Sequence, residues 1–251
     1  MKISVVTVCF NSAKTIGRTL ESFFGQDHAA KELVVVDGGS KDETLEIVCS
    51  FPADGVVVIS EPDHGIYDAM NKGLAAFSGD AVGFLNSDDR FKDAQTLSAV
   101  AATLAHNDIA FGDLDFVRCH ETREVVRRWR TAAWRKGGFR HGWMPAHPTF
   151  YCRRAVIEAV GPFDLRYRVA ADYDHMLRAM ELHDFRAAPV GHVMVEMLHG
   201  GESTSGLKSH LHHNLEALDS RRRWLGAGAV DYALFAKPLR KLPQLMARLR
   251  A

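Results

Sequence analysis

Blocks of apolar residues alternate, in the first part of the chain, with segments in which apolar residues recur every three or four positions. The blocks cover residues 3–8, 33–36, 56–59 and 81–85. Such blocks are typical of strands buried on both faces of a sheet, and the spacing between them is typical of amphipathic helices. The sequence therefore predicts an α/β fold with a mostly parallel central sheet and helices on both faces.

Polar residues follow three of these predicted strands directly, at 9–12, 37–40 and 86–89. Ligands of parallel α/β sheets bind beyond the carboxyl ends of the strands, so these clusters are predicted to share a site. The third cluster contains adjacent carboxylates, Asp88 and Asp89, which repel each other. Oxygen ligands of this kind hold Mg2+ or Mn2+ together with substrate phosphates. The alternative is a loop whose carboxylates only cap the next helix.

The loop after the first strand excludes two common classes of nucleotide-binding protein. It reads Phe-Asn-Ser at 10–12 and lacks the Gly-x-Gly-x-x-Gly fingerprint of dinucleotide-binding domains. The P-loop pattern Gly-x-x-x-x-Gly-Lys-Ser/Thr does not occur in the sequence. If the shared site binds a nucleotide, it does so without a glycine-rich phosphate loop.

Four ordered motifs, at 3–11, 34–44, 61–73 and 84–89, carry a resemblance to a known family, and a later match lies at 171–178. In this order and spacing they resemble the family 2 glycosyltransferases with a GT-A fold. Within this family, the motifs most resemble those of bacterial exopolysaccharide and colanic acid-type glycosyltransferases. The resemblance implies an inverting enzyme that moves a sugar from a nucleoside diphosphate to an acceptor hydroxyl.

The resemblance implies a donor site in the first part of the chain. Asp37 stands where the family binds the base and ribose, while Asp63 and Lys72 belong to a segment that passes over the nucleotide. The other residues expected to bind the nucleotide sugar are Thr7, Cys9, Asn11, Gly38, Asn86, Ser87 and Asp88. Structural alternatives remain, because an aspartate can simply open a Gly-Gly turn and a lone lysine near a helix end is usually solvated.

The resemblance also implies a divalent metal, Mn2+ or Mg2+. Ser87, Asp88 and Asp89 occupy the Asp-x-Asp position, and Asp89 is expected to hold the ion. Some GT-A enzymes use a late histidine as a third ligand, and His199 lies in a suitable place, the alternative being an ordinary loop residue. The cation would act as a Lewis acid toward the charge that develops on the β-phosphate.

Asp172 is the expected catalytic base, which accepts the proton of the incoming hydroxyl. It begins a predicted helix at 172–182, whose N-terminus favours an ionised carboxylate. The alternative is that Asp172 and Asp174 only cap this helix. Asp174, Trp143 and His147 are expected to bind the acceptor, and His147 is equally consistent with a buried structural histidine.

A basic segment with interleaved aromatic residues spans 118–140 and holds eight Lys or Arg against two Glu. Such a composition can recognise nucleic acid, face a lipid diphosphate or stack on sugar rings. The nucleotide-sugar motifs already explain the chain, so we expect a glycan or lipid-linked sugar acceptor and no nucleic acid. Alternation at 124–129 predicts a strand or hairpin, in which some of these charges are simply solvated.

Composition agrees with an ordinary cytoplasmic enzyme. The 251 residues balance 31 Lys plus Arg against 31 Asp plus Glu, so no global field draws the chain to an acidic partner. Four cysteines without paired spacing and the lack of a signal peptide predict a reducing cytoplasm. We predict a GT-A domain over 1–205, with a nucleotide-binding half at 1–90 and an acceptor-binding half at 106–205.

Residues 206–251 are predicted to form a helical, basic amphipathic extension that starts with a helix at 210–224. Leucines in its last part interleave with lysine and arginine, a pattern that can lie on an anionic membrane surface. This would place the enzyme at the inner face of the cytoplasmic membrane. The alternative is a helix that packs on the catalytic domain.

Two further interpretations of the whole chain differ in class. A nucleotidyltransferase also uses an α/β sheet and paired aspartates, but it usually shows a glycine-rich phosphate loop near its first strand. A catalytically silent subunit would bind nucleotide sugar or glycan without transfer. Intact Asp37, Asp89 and Asp172 argue against the silent subunit.

Overall fold

The structure is a computed structural model that describes residues 1–199 and 207–226. Within these residues nine strands form one sheet. The strands are β1 (Ile3–Cys9), β2 (Lys31–Asp37), β3 (Val56–Ser60), β4 (Ala81–Phe84), β5 (Arg90–Phe91), β6 (Ile109–Val117), β7 (Val125–Trp129), β8 (Tyr151–Arg153) and β9 (Ala187–Leu198). The helices are α1 (Ile16–Phe24), α2 (Thr44–Cys49), α3 (Ile66–Ala76), α4 (Thr96–Leu104), α5 (Arg154–Val160), α6 (Ala171–Glu181) and α7 (Leu207–Leu225). The α/β fold class and the elements predicted for the first part of the chain are confirmed.

The sheet has the strand order β3-β2-β1-β4-β8-β6-β9-β5, with β7 paired to β6. Strands β1 to β4 pair in parallel, as predicted. Beyond β4 the sheet is mixed, because β8 pairs antiparallel to β4 and β6, and β7 to β6, while β6 and β9 are parallel. The chain between β6 and β7 contains no crossover helix, and a short connection returns a strand antiparallel. The first four strands are therefore parallel as expected, and the remainder of the sheet combines antiparallel pairs with the parallel pair β6–β9.

Two apolar cores cover the two faces of the sheet. Val6 and Val34 belong to the core that contains α3 and α6, whereas Val5 and Val35 belong to the core under α1 and α4. Successive side chains of a strand point to opposite faces, so these continuous apolar runs fit strands buried on both sides. The polar residues at the strand ends are left as the surface of the sheet edge.

Helix α7 packs against α6, so the start of the predicted C-terminal extension follows the packing alternative. The buried carboxylate of Asp174 in α6 accepts hydrogen bonds from Ser220 and Trp224 of α7, each at 2.8 Å. No helix in the described part of the chain is both long and apolar enough to cross a bilayer. Residues 227–251, where the basic amphipathic segment is predicted, lie outside the described residues.

Candidate active site

The loops that follow β1, β2 and β4 are joined to one another by short hydrogen bonds. The Asn11 amide N–H donates to Ser40 Oγ at 2.8 Å, and the Lys41 amide donates to Asn11 Oδ1 at 2.9 Å. The hydroxyls of Ser12 and Ser87 lie 2.9 Å apart. Strand β1 stands between β2 and β4, where the strand order reverses and where open α/β sheets bind ligands. The three polar clusters predicted to share a site therefore meet.

Asp37 closes the turn after β2. Its buried carboxylate accepts the amide N–H of Ser40 at 3.1 Å, that of Gly39 at 3.2 Å and the Ser60 hydroxyl at 2.8 Å. Burial raises the pKa of the neighbouring Cys9 thiol to about 12, with the Asp37 charge adding to the shift. Asp37 thus fills the turn-opening role that the sequence offered as an alternative, and Cys9 stays a neutral thiol.

The segment after β3 folds back over this turn. A Cβ atom on Gly38 would lie 2.4 Å from Asp63 Oδ2, so any larger residue at position 38 would displace the Asp63 side chain. The Lys72 ammonium lies 2.9 Å from a Glu61 carboxylate oxygen and donates to the Pro62 carbonyl at 2.7 Å. The structure thus brings Asp63 to Gly38, whereas Lys72 is engaged within its own segment.

Another expected donor residue, Thr7, lies inside β1 rather than in a loop. Its side chain is fully buried, and its hydroxyl oxygen has no hydrogen-bond partner in the described part of the structure. The residue pairs with Val35 of β2 through the parallel ladder. Thr7 therefore lies beneath the loop cluster, two residues before the end of β1.

The acidic pair consists of one half-buried and one fully buried residue. Both carboxylate oxygens of Asp89, and Asn86 Oδ1, are buried without a well-formed hydrogen bond among the described residues. Burial raises the pKa of Asp89 well above its ordinary value; the Asp88 charge adds to the shift, and the Leu198 amide and the Asn86 side chain oppose it. Asp88 is half-buried, and its backbone carbonyl accepts a hydrogen bond from His120 Nε2 at 2.7 Å.

This pair fits a hard divalent cation. A buried carboxylate without hydrogen bonds is unfavourable in its charged form, and a bound cation reverses that balance. Among the described residues no three His, Cys, Asp or Glu side chains form a metal cage. Mg2+ and Mn2+ do not need one, because one or two carboxylates plus substrate phosphates hold them. Asp88 has the solvent access that such a shared ligand requires, whereas Asp89 lies beneath the surface.

His199 lies exposed just past the end of β9. Its amide donates to the Val117 carbonyl at 2.9 Å, and its ring meets that of Phe116 edge-on, with centroids 6.4 Å apart. The amide of the preceding residue, Leu198, interacts with Asp89. The structure therefore places His199 beside the strand end that reaches the acidic pair. Residues 200–206 lie outside the described residues.

Asp172 lies in the first turn of α6 and is held by a residue of α3. The Tyr67 hydroxyl donates to Asp172 Oδ1 at 3.1 Å and lies 3.0 Å from the Val169 carbonyl. The Tyr173 amide donates to the same Asp172 oxygen at 2.8 Å. Burial raises the pKa of the Tyr67 phenol well above its ordinary value, with Asp172 adding to the shift. Tyr67, which sequence reasoning did not single out, thus connects the donor segments to the expected base.

His147 lies between two aromatic rings near Asp172. Its ring stacks on Phe84 at 5.1 Å and meets Phe163 edge-on at 5.9 Å. Desolvation lowers the pKa of His147, while the charge of Asp172 opposes the shift. The neutral imidazole of His147 therefore lies close enough to Asp172 to interact with its charge. This position is compatible with both roles considered for His147, acceptor binding and structural packing.

The two other predicted acceptor residues differ in position. Trp143 packs on Trp134 and Phe139 and lines a cavity of about 470 Å³ with Arg135 and Lys136. Asp174 is fully buried and forms an ion pair with Arg178 at 2.8 Å, besides its bonds to α7. Among the described residues its bonded partners lie on α6 and α7, which agrees with the alternative that Asp174 only stabilises this helix.

Comparisons with known proteins agree with this geometry. The sequence profile of Glycosyl transferase family 2 matches residues 4–160. A PGL/p-HBAD biosynthesis glycosyltransferase of Mycobacterium bovis is 33% identical over 189 residues, covering 70% of this chain and 68% of its own length. An uncharacterized glycosyltransferase of Mycobacterium tuberculosis is 31% identical over 183 residues, again covering 70% and 68%.

Solved structures show the same fold. S. aureus TarS 1-349 in complex with UDP has a TM-score of 0.69 at 21% identity, covering 93% of this chain and 68% of that one. The mannosyltransferase PcManGT from Pyrobaculum calidifontis, in complex with GDP-Man and Mn2+, has a TM-score of 0.65 at 17% identity, covering 94% and 68%. The mixed sheet with its loop cluster is thus a GT-A fold, and the chain is a glycosyltransferase that belongs to family 2.

Proposed function

We propose that this glycosyltransferase moves a sugar from a nucleoside diphosphate sugar to a hydroxyl of a glycan or lipid-linked acceptor, with inversion at the anomeric carbon. One observation carries the proposal. The bonded loops after β1, β2 and β4 form one edge of the sheet, and Tyr67 ties Asp172 of α6 to the helix that follows the donor segment. Hydrogen bonds thereby connect the loops that would bind the donor to one another, and connect the carboxylate that would act as the base to α3.

The donor half supplies recognition by short side chains and backbone. Asp37, Gly38 and Asp63 form a close-packed group after β2, beside Cys9 and the Asn11 loop. Amides and carboxylates of this kind suit a base and ribose, whose edges carry both donors and acceptors. Structural neighbours are described in complex with UDP, UDP-GlcNAc and GDP-Man, which supports a diphosphate donor for this chain.

A divalent cation, Mn2+ or Mg2+, would be held at the acidic pair with His199 beside it. When bound, such a cation supplies Lewis acidity toward the diphosphate leaving group. Asp89 is the expected ligand, the half-buried Asp88 lies beside it, and His120 binds the Asp88 backbone carbonyl.

Asp172 acts on the acceptor in this mechanism. Its carboxylate accepts the proton of the attacking hydroxyl as that oxygen bonds to the anomeric carbon. Tyr67 fixes one carboxylate oxygen, and the neutral His147 adds no competing positive charge. Attack on the face opposite the leaving diphosphate inverts the anomeric centre, as in the analogous inverting hydrolases.

The acceptor would belong to a surface glycan or exopolysaccharide. The Mycobacterium bovis relative is named a PGL/p-HBAD biosynthesis glycosyltransferase, which supports a biosynthetic role for this chain. Trp143 offers a ring face to a sugar, and Arg135 and Lys136 offer charge to an anionic acceptor.

Residues 227–251 would contact an anionic membrane from the cytoplasmic side. A flotation assay with anionic liposomes at low salt tests this contact, and absence of binding would rule it out.

A thermal-shift panel tests the proposed function. UDP, GDP, CMP and dTDP are compared with and without Mn2+, for the wild type and for Asp88→Asn. A ligand at a hundred times its dissociation constant adds about 2.7 kcal/mol of stability, which a melting curve resolves. The donor site is supported if one nucleoside diphosphate raises the melting temperature. The metal site is supported if Mn2+ increases this rise in the wild type but not in Asp88→Asn. No shift for any nucleotide overturns the proposal and favours a silent subunit that binds glycan.

A further inference from the structure

Helix α6, which carries the expected base, begins without a capping side chain of its own. Its N-cap position is Ala170, and no side-chain hydrogen bond caps the helix there. The first amide groups of any helix have no partner within the helix, and buried ones must be satisfied from elsewhere. The positioning of Asp172, two residues further on, therefore depends on what binds this stretch of backbone.

A side chain of a different helix binds the backbone that leads into α6, including the amide of the N-cap residue Ala170. Glu216 of α7 accepts the amide N–H of Arg168 at 3.1 Å and those of Val169 and Ala170 at 2.9 Å each. Both carboxylate oxygens take part, Oε1 with Arg168 and Oε2 with the other two. Charge-assisted bonds of this kind are roughly twice as strong as neutral ones.

The same stretch is held from its other side by α3. Tyr67 contacts the Val169 carbonyl at 3.0 Å and Asp172 Oδ1 at 3.1 Å. One peptide segment, 168–170, is thus held between the carboxylate of Glu216 and the phenol of Tyr67. The family match ends at residue 160, so Glu216 lies outside the part of the chain that the family profile describes.

We propose that Glu216 is a positioning residue for catalysis, which caps α6 from α7 and so fixes Asp172 for proton abstraction. The inference rests on the proposed role of Asp172 as the base. Helix α7 is itself fixed, because Asp174 binds Ser220 and Trp224 in the buried interface. A fixed α7 gives Glu216 little freedom to follow a displaced segment.

Glu216→Gln tests the inference with little change of shape. Glutamine has one acceptor oxygen, so it cannot bind the segment through two oxygens as the carboxylate does. We expect kcat for transfer to fall about tenfold, because small displacements of a reacting group have effects of this size or larger. The donor KM and the nucleotide thermal shift stay unchanged, since Glu216 does not contact the donor loops. Hydrogen exchange at amides 168–170 rises.

Arg223→Gln is the matched control, because it removes an α7 contact, the 2.8 Å ion pair with Asp164, that does not touch segment 168–170. It leaves kcat and the hydrogen exchange of amides 168–170 as in the wild type.

Tyr67→Phe provides a second test of the inference if Glu216→Gln folds poorly. It lowers kcat without changing donor binding, and the double variant loses less than the product of the two single effects, because both act on one segment.

The two proposals fail in different ways. The positioning role is overturned if Glu216→Gln keeps the normal kcat although hydrogen exchange at amides 168–170 has risen. It is also overturned if kcat falls equally in Glu216→Gln and Arg223→Gln. Neither result bears on whether the wild type transfers sugar. Multiplicative effects in the double variant also overturn the positioning role. Absence of transfer in the wild type, with every nucleotide failing to bind, instead overturns the proposed function, and the amide exchange still reports whether Glu216 caps α6.

Discussion

The loops at the sheet edge of the predicted nucleotide-binding half (residues 1–90, the donor half) and the strands of the predicted acceptor-binding half (from residue 106, the acceptor half) are held by different kinds of contact. In the donor half, short polar groups fix the loops, such as the Ser12–Ser87 pair at 2.9 Å and the Asn11 bond to the Lys41 amide. In the acceptor half, the fully buried Glu196 binds Lys92 at 2.6 Å and Arg123 at 2.9 Å. Ordering short side chains loses little rotamer entropy, whereas ordering lysine and arginine loses much more.

Under the proposed function, this difference suits the two tasks of binding a donor and an acceptor. A nucleoside diphosphate is a constant group, and a frame of short, low-entropy contacts suits it. An acceptor varies in shape, and longer charged and aromatic side chains, such as Trp143 beside Arg135, can be repositioned with less effect on the sheet. The halves meet where β4 pairs with β8. Changes in the donor half, in the acceptor half and at this junction should therefore separate donor binding, transfer and stability.

The largest expected effect is that of Asp172→Asn, in the acceptor half. The amide cannot accept the proton, so transfer should fall about a thousandfold, within the range for loss of general base catalysis. The donor half is untouched, and the nucleotide thermal shift should equal that of the wild type. Glu158→Gln, which changes an exposed carboxylate on α5, is the control. Transfer at the normal rate in Asp172→Asn would show that the base is another residue.

Asp88→Asn tests the donor half in the same way. We expect Mn2+ affinity in the presence of nucleoside diphosphate to fall about a hundredfold, at the upper end for groups that support a metal site. Titration of Mn2+ against the melting temperature measures this, and Asp54→Asn removes an exposed carboxylate as the control. If Asp89→Asn abolishes the Mn2+ response while Asp88→Asn keeps it, the ion is held by Asp89 alone and Asp88 is not a ligand.

Gly83→Ala tests the junction between the halves. A Cβ atom there would lie 2.3 Å from the buried Tyr151 ring of β8, so the ring or the strand must move. We expect a loss of about 3 kcal/mol in the free energy of unfolding, the upper end for overpacking. Gly17→Ala, whose Cβ would meet Ile47 at an ordinary 3.7 Å, should instead leave stability equal or slightly higher. Equal urea midpoints for the two variants would contradict a tight junction.

Acid should weaken the acceptor half before the donor half. Desolvation, with the charge of Arg178, lowers the pKa of the buried His175 to about 3. Its unfolded pKa is near 6.5, so stability from a neutral His175 is present above that value and is lost as the pH falls toward 3. For Glu32 burial raises the pKa, but hydrogen bonds led by that from Lys2 prevail and lower it to about 2.

The stability that Glu32 contributes is accordingly present above its unfolded pKa, near 4.3, and is lost only as the pH falls from there toward 2. Between pH 7 and pH 5 the wild type should lose up to about 2 kcal/mol through His175, and His175→Gln should lose less. Urea midpoints across this range measure the effect, and hydrogen exchange at pH 5 locates it. Earlier exchange in β1 and β2 than in α6 would contradict the expected order.

The sequence predicted the donor half well for a physical reason. Each parallel strand there is a continuous apolar run that ends in its own polar loop, so the positions of Asp37 and Asp88 at one sheet edge follow from pattern alone. The acceptor half offered fewer such signals. The mixed pairing beyond β4 depends on tertiary contacts, and a periodic pattern does not reveal which strands become neighbours.

Individual contacts between elements were the least predictable part. Asp174 is a first-turn carboxylate within the motif at 171–178, and only the packing of α7 shows that it binds Ser220 and Trp224 in the interface. His120 lies in a hairpin loop whose sequence carries no signal of its bond to Asp88. Tyr67 stood inside a matched motif, and its position there was the one clue that sequence offered.

The capping of α6 by α7 also limits how this enzyme can be recombined with its relatives. A hybrid that exchanged segment 168–182 alone would place a foreign helix start against the native Glu216, whose two oxygens bind amides at 168–170. Helices α6 and α7 should therefore be exchanged together, although both lie beyond residue 160, where the family profile match ends. Acceptor specificity transplanted between such enzymes should travel with both helices.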